Sequence, residues 1–278
     1  MVPTTQEISE HIYNHLLTNQ TKLKLQFSES KSKIGFFYID NVLPEDLARS
    51  CYDVFPKPED MRQLKSIREH KHVSAQMNKH HALLEHVIYA FQDAEILKLI
   101  GEICDIEQLF ADDLLYAGGL SLMGKDQFLN PHLDNSHDAK RDRWRVLNLL
   151  YYVSPDWHLE NGGHLELWPA GPSKQAILVE SKFNRLVVMA THNGSWHSVS
   201  PVTVSQPRCC ISNYYFSSTP LRATDTFHVT TFKGRSDDFF TNFILNVDSA
   251  LRMGVRKVFK NGVRENPHIY KKEEGKDA

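Results

Sequence analysis

Apolar positions at four-residue spacing mark the start of the chain. Thr4-x-x-Glu7 resembles a capping box, and Ile8, Ile12 and Leu16 follow it, which predicts a helix to about Thr18. Leu23 to Phe27 alternates and reads as a strand, and Ser28 to Ser32 as a polar joint. Ile34 to Ile39 reads as another strand. Leu43-Pro44-Glu45 opens a helix with Leu47, Cys51 and Phe55 on one face, stopped by Pro56 and Pro58. Residues 59–80 are polar, carry His70, His72 and His80, and show no period. They are expected as an irregular loop acting as a mobile lid. Leu84, Val87, Ile88 and Phe91 mark a further helix, and Asp93 caps one that carries Ile96, Leu97, Ile100 and Ile103.

From Leu114 to Phe216 the pattern changes to short β-rich runs divided by Gly, Pro, Asn and Asp. Seven or eight strands fit there, as in a jelly roll. Beyond Leu221, Ser236-Asp237-Asp238 is expected to cap a helix with the stripe Phe239, Phe243, Val247, Leu251 and Val255. The charged tail from Lys271 to Ala278 is expected to stay disordered. The expected fold class is therefore α+β with a mainly β core. It is a double-stranded β-helix (jelly-roll) barrel over about 112–220, with supporting helices in 1–111 and a helical extension over 221–278. The whole is read as a single domain spanning 1–278.

Composition narrows the partners. At 278 residues, 41% hydrophobic and 24% charged, the chain has the profile of a soluble globular protein. A net charge of −2 argues against a nucleic-acid partner, and no apolar run is long enough to span a bilayer. The start of the chain lacks the order of a signal peptide. The four cysteines have no CxxC spacing and read as free thiols in a reducing compartment, so the expected location is cytoplasmic. A monomer or homodimer is expected.

Candidate chemistry lies within the β-rich region. His132 and Asp134 are two residues apart, so on an extended segment both point the same way. His197 lies far along the chain, just before a β-rich run. Two imidazoles and one carboxylate leave coordination positions open, the donor set of non-haem Fe(II) oxygenases. A structural zinc site would more often be closed by further His or Cys ligands. His192 is a rival to His197, but Thr191-His192-Asn193-Gly194 reads as a turn, since Asn-Gly favours positive φ, which would expose His192. Arg208 follows His197 by eleven residues, and Arg208, Cys210, Ser212 and Tyr214 alternate to one face. An arginine lining a barrel needs an anion, and its planar fork suits a carboxylate. Metal and arginine together suggest a cosubstrate that chelates iron at one end and carries a carboxylate at the other. Lys140, Arg141, Arg143 and Arg145 read either as a patch for an anionic substrate or as a charged loop. Gly162-Gly163 reads as turn chemistry or as a point of close backbone approach.

These residues resemble the prolyl-4-hydroxylase type of 2-oxoglutarate- and Fe(II)-dependent dioxygenase over about Ile34 to Phe216. His132-Leu133-Asp134-Asn135, then Arg145 and Tyr151-Tyr152, is similar to the hypoxia-type prolyl hydroxylases. Gly162-Gly163-His164-Leu165-Glu166-Leu167 and Arg208-x-x-Ile211-Ser212 are similar to the ribosomal-protein prolyl hydroxylases. The resemblance implies His132, Asp134 and His197 as iron ligands. It implies Arg208 and Tyr152 on the distal carboxylate of 2-oxoglutarate, and Arg145 and Asn135 as candidates for substrate contact. Many members carry a tyrosine nine or ten residues before the first histidine, where this chain has Met123 and Leu122, so Asn148 or Ser212 is expected to complete the 2-oxoglutarate pocket. The implied cofactors are Fe(II), 2-oxoglutarate and O2, with ascorbate as a stimulant. The implied reaction is hydroxylation of an unactivated C–H bond, in a prolyl residue or related amino-acid unit of a peptide or protein. The alternatives are a small-molecule oxygenase acting on a free amino acid, sugar or natural product, and a sensor that binds metal and 2-oxoglutarate without turnover.

Overall fold

This computed structural model of the chain describes residues 2–234 and 269–271. Helix α1 (Thr5–Thr18) begins with the capping box expected from its sequence. The Glu7 N–H donates to Thr4 Oγ1 at 3.2 Å, and the Thr4 N–H donates to Glu7 Oε2 at 2.7 Å. The face carrying Ile8, Ile12 and Leu16 is buried. The segment read as a strand over Leu23–Phe27 is instead part of α2 (Gln20–Ser30). Leu23 and Phe27 fit a helical face as well as a strand face, and Leu25 decides between them. It is 56% exposed while the other two are buried, so only the four-residue spacing faces the core.

Strand β1 (Phe36–Asp40) and α3 (Glu45–Asp53) follow. Residues 59–80 are not irregular. They form a hairpin of β2 (Arg62–Lys65) and β3 (Glu69–Ser74), whose polar residues were compatible with strands exposed on one face. Then come α4 (Ala82–Ala90) and α5 (Ala94–Cys104), the latter capped by the Asp93 carboxylate on the Glu95 N–H at 2.9 Å. Eight strands occupy the β-rich region: β4 (Gly119–Met123), β5 (Phe128–Leu133), β6 (Trp144–Tyr152), β7 (Leu165–Leu167), β8 (Ile177–Val179), β9 (Arg185–Ala190), β10 (His197–Val199) and β11 (Arg208–Ser217). After Leu221 the described chain adds a short strand, β12 (Thr231–Phe232), paired with β5. The helix and stripe expected from Ser236 to Val255 lie outside the described residues.

The strands run in the order β1-β9-β6-β11-β4-β3-β5-β10-β7-β8, all antiparallel, and curl into a jelly-roll half-barrel. Strand β3 pairs with both β4 and β5 and so joins the two halves. Alternation along β6 sorts the core into two compartments. Leu147, Leu149 and Tyr151 pack outward with the helices, in one cluster with Ile12, Phe27 and Ile100. Tyr152 packs inside the barrel with Leu165, Val187, Met189 and Cys210. The adjacent thiols Cys209 and Cys210 are divided the same way, and all four cysteines are free and buried. The alternation has one interruption. Leu147 pairs with Tyr215 but Arg145 with Phe216, so Val146 is an extra residue in β6, a β-bulge. Val146 joins the outer core beside Leu147, its carbonyl accepts the Thr191 N–H at 2.8 Å, and Arg145 turns into the barrel.

Candidate active site

Strand register brings the two histidines together. His197 on β10 pairs directly with His132 on β5, and their ring centroids are 4.1 Å apart. Asp134 lies just past the end of β5. Its Oδ1 is 3.6 Å from His132 Nε2, and its Oδ2 is 3.6 Å from His197 Nε2. The Nδ1 of His132 bonds the Asn130 carbonyl at 3.0 Å, and that of His197 bonds the Ser195 carbonyl at 2.9 Å. A carbonyl only accepts, so each Nδ1 carries a proton and each Nε2 is the ring nitrogen turned toward the carboxylate. One donor atom from each of the three residues lies within 4.8 Å of the others, a spacing that could hold a metal ion. Burial, with the neighbouring His197, pushes His132 down to about 3, which keeps it neutral. Burial works to raise the Asp134 carboxyl, but the neighbouring His197 and Arg145 outweigh it and hold it below the usual carboxylate range. Phe232 of β12 stacks on His132 with centroids 5.1 Å apart.

The three residues line a cavity of about 730 Å³ that also reaches Arg208, Ser212, Asn148, Arg145 and Asn135. Arg208 is 2% exposed. Its Nε donates to Ser181 Oγ at 3.3 Å and its guanidinium lies 4.8 Å from the centre of the Tyr152 ring. Among the described residues no carboxylate pairs with it. Tyr152 is fully buried, and its hydroxyl has no hydrogen-bond partner among the described residues. Burial pushes that phenol up to about 12, against the pull of Arg208. Glycine makes room here, since a Cβ on Gly163 would stand 3.0 Å from Arg208 Cδ, and one on Gly162 only 2.0 Å from the Pro201 carbonyl oxygen. Met123 pairs with Arg208 across β4 and β11.

The remaining candidates have partners of their own. Ser212 Oγ donates to the Gly119 carbonyl at 3.1 Å. Asn135 Nδ2 donates to the His137 carbonyl at 2.8 Å. Asn148 Nδ2 donates to the Tyr214 hydroxyl at 3.0 Å, while its Oδ1 has no partner. Arg145, 5% exposed, stacks 4.3 Å from the Tyr214 ring centre, and its Nη1 is 3.8 Å from Asp134 Oδ1. The rival histidine is buried, not exposed. His192 Nε2 bonds the Ile34 carbonyl at 2.9 Å and its Nδ1 accepts the Gly194 N–H at 3.0 Å, so the turn folds inward and closes on its own ring.

Tyr214 is the member of the site that motif reading did not single out. Its hydroxyl donates to Asp134 Oδ2 at 3.2 Å. Burial and the Asp134 charge push its phenol well above the ordinary value, so it stays protonated. The available signal was its place on the inward face of β11 with Arg208. Lys71 and Tyr116 also line the cavity, and neither carried a motif.

Residues 118–216 match the model of the 2OG-Fe(II) oxygenase superfamily. The matched stretch takes in the barrel strands from β4 to β11. Similar solved structures agree on the fold. A prolyl-4-hydroxylase from Pseudomonas putida is 18% identical with TM-score 0.52, covering 70% of this chain and 98% of that one. A prolyl 4-hydroxylase structure from Phytophthora capsici is 17% identical with TM-score 0.51, covering 91% and 80%. The non-heme alpha ketoglutarate dependent epimerase SnoN from nogalamycin biosynthesis is 11% identical with TM-score 0.50, covering 80% and 89%. No curated protein matches the sequence. Among the described residues, no helix is long and apolar enough to cross a membrane.

Proposed function

We propose that this 2OG-Fe(II) oxygenase hydroxylates an unactivated C–H bond of a prolyl residue or a related amino-acid unit, with His132, Asp134 and His197 holding the iron. The observation that carries the reading is one cavity with two complementary ends. At one end, two imidazole Nε2 atoms and a carboxylate converge, a donor set that fits Fe(II) with open positions. At the other, a buried guanidinium and a buried hydroxyl that find no acid and no hydrogen-bond partner among the described residues fit a carboxylate. Bound there, iron with 2-oxoglutarate and O2 supplies the oxidant, releasing succinate and CO2 as the substrate gains a hydroxyl.

The chain's own residues bind and orient. Arg208 and Tyr152 hold the distal carboxylate of 2-oxoglutarate, and the apolar lining of Leu150, Leu165 and Val199 keeps water from the cosubstrate. Nδ1 protons tied to backbone carbonyls fix both histidine tautomers. Arg145 and Asn135 lie on the cavity wall where a substrate would enter. The phrase His132-Leu133-Asp134-Asn135 with Arg145 and Tyr151-Tyr152 supports a prolyl unit as substrate. The helices α1 to α5 serve as the support of a single oxygenase unit.

The test is succinate release, with mass spectrometry for gain of one oxygen atom, across prolyl peptides, free amino acids and sugars. Iron-dependent hydroxylation of a prolyl peptide is expected. Turnover confined to free amino acids or sugars would replace the prolyl reading with that of a small-molecule oxygenase. No turnover of 2-oxoglutarate under any condition would sink the reading altogether.

A further inference from the structure

Asp134 is the one candidate ligand whose support comes from side chains rather than from backbone carbonyls. Its Oδ2 accepts a hydrogen bond from the Tyr214 hydroxyl at 3.2 Å. A carboxylate can only accept, so the tyrosine's single proton is committed to it. The tyrosine oxygen then has only acceptor capacity left, and it accepts a hydrogen bond from Asn148 Nδ2 at 3.0 Å. This fixes the amide. Asn148 must present its NH2 to Tyr214, and its Oδ1 is the atom left without a partner. Arg145 closes the cluster, with its guanidinium 4.3 Å from the Tyr214 ring centre and its Nη1 3.8 Å from the other carboxylate oxygen.

Strand geometry enforces the chain. Tyr214 and Asn148 are directly paired across β11 and β6, so their side chains rise side by side into the barrel. Asn148 is 2% and Tyr214 9% exposed, so little water competes for either group. The Val146 bulge brings Arg145 to the same inward side.

We propose that Tyr214, held by Asn148, is the positioning residue for the carboxylate of Asp134, fixing which way it faces the two histidines. The proposal rests on the metal-site reading above. It also gives Asn148 a task on Asp134 rather than on 2-oxoglutarate. Removing such an outer partner typically weakens metal binding by roughly 10–100-fold.

The experiment is a titration of the metal-free protein with Co(II), followed by its visible ligand-field bands. It is run on the parent, Tyr214→Phe, Asn148→Ala and the double variant. Tyr214→Phe should lose roughly 10–100-fold in Co(II) affinity and shift the bands, since the carboxylate is released. Asn148→Ala should lose less. Because Asn148 acts through Tyr214, the double variant should bind no more weakly than Tyr214→Phe alone. Parent-like affinity and bands in Tyr214→Phe would overturn the assignment. Losses that add in the double variant would overturn the relay between the two residues. A parent that binds no Co(II) would overturn the metal site itself and this inference with it. A circular dichroism melt of each metal-free variant separates general destabilisation, which moves the melt without moving the bands of the bound ion.

Discussion

At the residue scale the site divides into groups awaiting a partner and groups already paired. Arg208 awaits one. Losing a charge-assisted contact to a buried carboxylate costs a few kcal/mol, so Arg208→Ala should raise the 2-oxoglutarate needed for half-maximal succinate formation by roughly a hundredfold or more. Tyr152→Phe should do the same more mildly. Iron affinity should barely change in either, and an unchanged 2-oxoglutarate requirement in Arg208→Ala would remove it from the cosubstrate site. His192 is already paired, and its pairing sets a pH dependence. Burial holds it at about 4, below the 6.5 of an exposed histidine. Between those values the unfolded chain binds the extra proton, so the His192 contribution is present above about 6.5 and is lost as pH falls toward 4. From pH 7 to pH 5 the loss is on the order of 2 kcal/mol. Urea midpoints at the two pH values should therefore differ less in His192→Gln than in the parent. The sequence could not show this burial, because the Asn193-Gly194 turn looks the same whether it folds out or in.

Elements show where local pattern was enough and where it was not. The caps at Thr4 and Asp93 were legible because a cap is a matter of one side chain and a backbone two or three residues away. The eight strands were legible from their punctuation by Gly, Pro, Asn and Asp. Helix α2 was not, because Leu23, Leu25 and Phe27 satisfy a period of two, and only the tertiary partners of Leu23 and Phe27 reveal that Leu25 faces solvent. The prediction follows from that difference. Phe27→Ala should destabilise by about 3–5 kcal/mol, whereas Leu25→Ala should stay within about 0.5 kcal/mol, measured by urea unfolding. Equal costs would restore the strand assignment. The hairpin β2–β3 was equally hidden, since its residues are polar and its pairing to β4 and β5 is long-range. As a sheet element it should resist proteolysis better than a loop would. Its inward residues Arg62 and Lys71 should be further protected when 2-oxoglutarate, metal and substrate fill the cavity.

At the scale of the whole molecule, the donor set His132, Asp134 and His197 was readable in one dimension, but its cohesion was not. The two histidines meet only through β5–β10 pairing across more than sixty intervening residues. The helical layer and the barrel share one core, with Ile12 and Phe27 in the same cluster as Leu147 and Tyr151. Residues 269–271 are tied into that layer too, through the Tyr270 hydroxyl on Glu85 Oε1 at 2.8 Å and the Tyr270 N–H on the Leu114 carbonyl at 2.8 Å. All four tryptophans, Trp144, Trp157, Trp168 and Trp196, belong to the barrel region, while α1 to α5 precede it. Tryptophan fluorescence therefore reports the barrel and helical circular dichroism the support. The two signals should lose structure in a single coincident transition. A helical transition that precedes the fluorescence change would mean the support folds apart from the barrel.

Val146 makes β6 tolerant of a change in length at one position only. Deleting Leu149 would reverse the facing of every residue on one side of the cut, sending Asn148 outward or Tyr152 to the helices. Deleting Val146 removes the odd residue and leaves Arg145 opposite Phe216, still facing inward, at the cost of one buried valine. A homologue one residue shorter at this point could therefore keep the same cavity wall, and an alignment gap there would mark a straightened strand rather than a lost site.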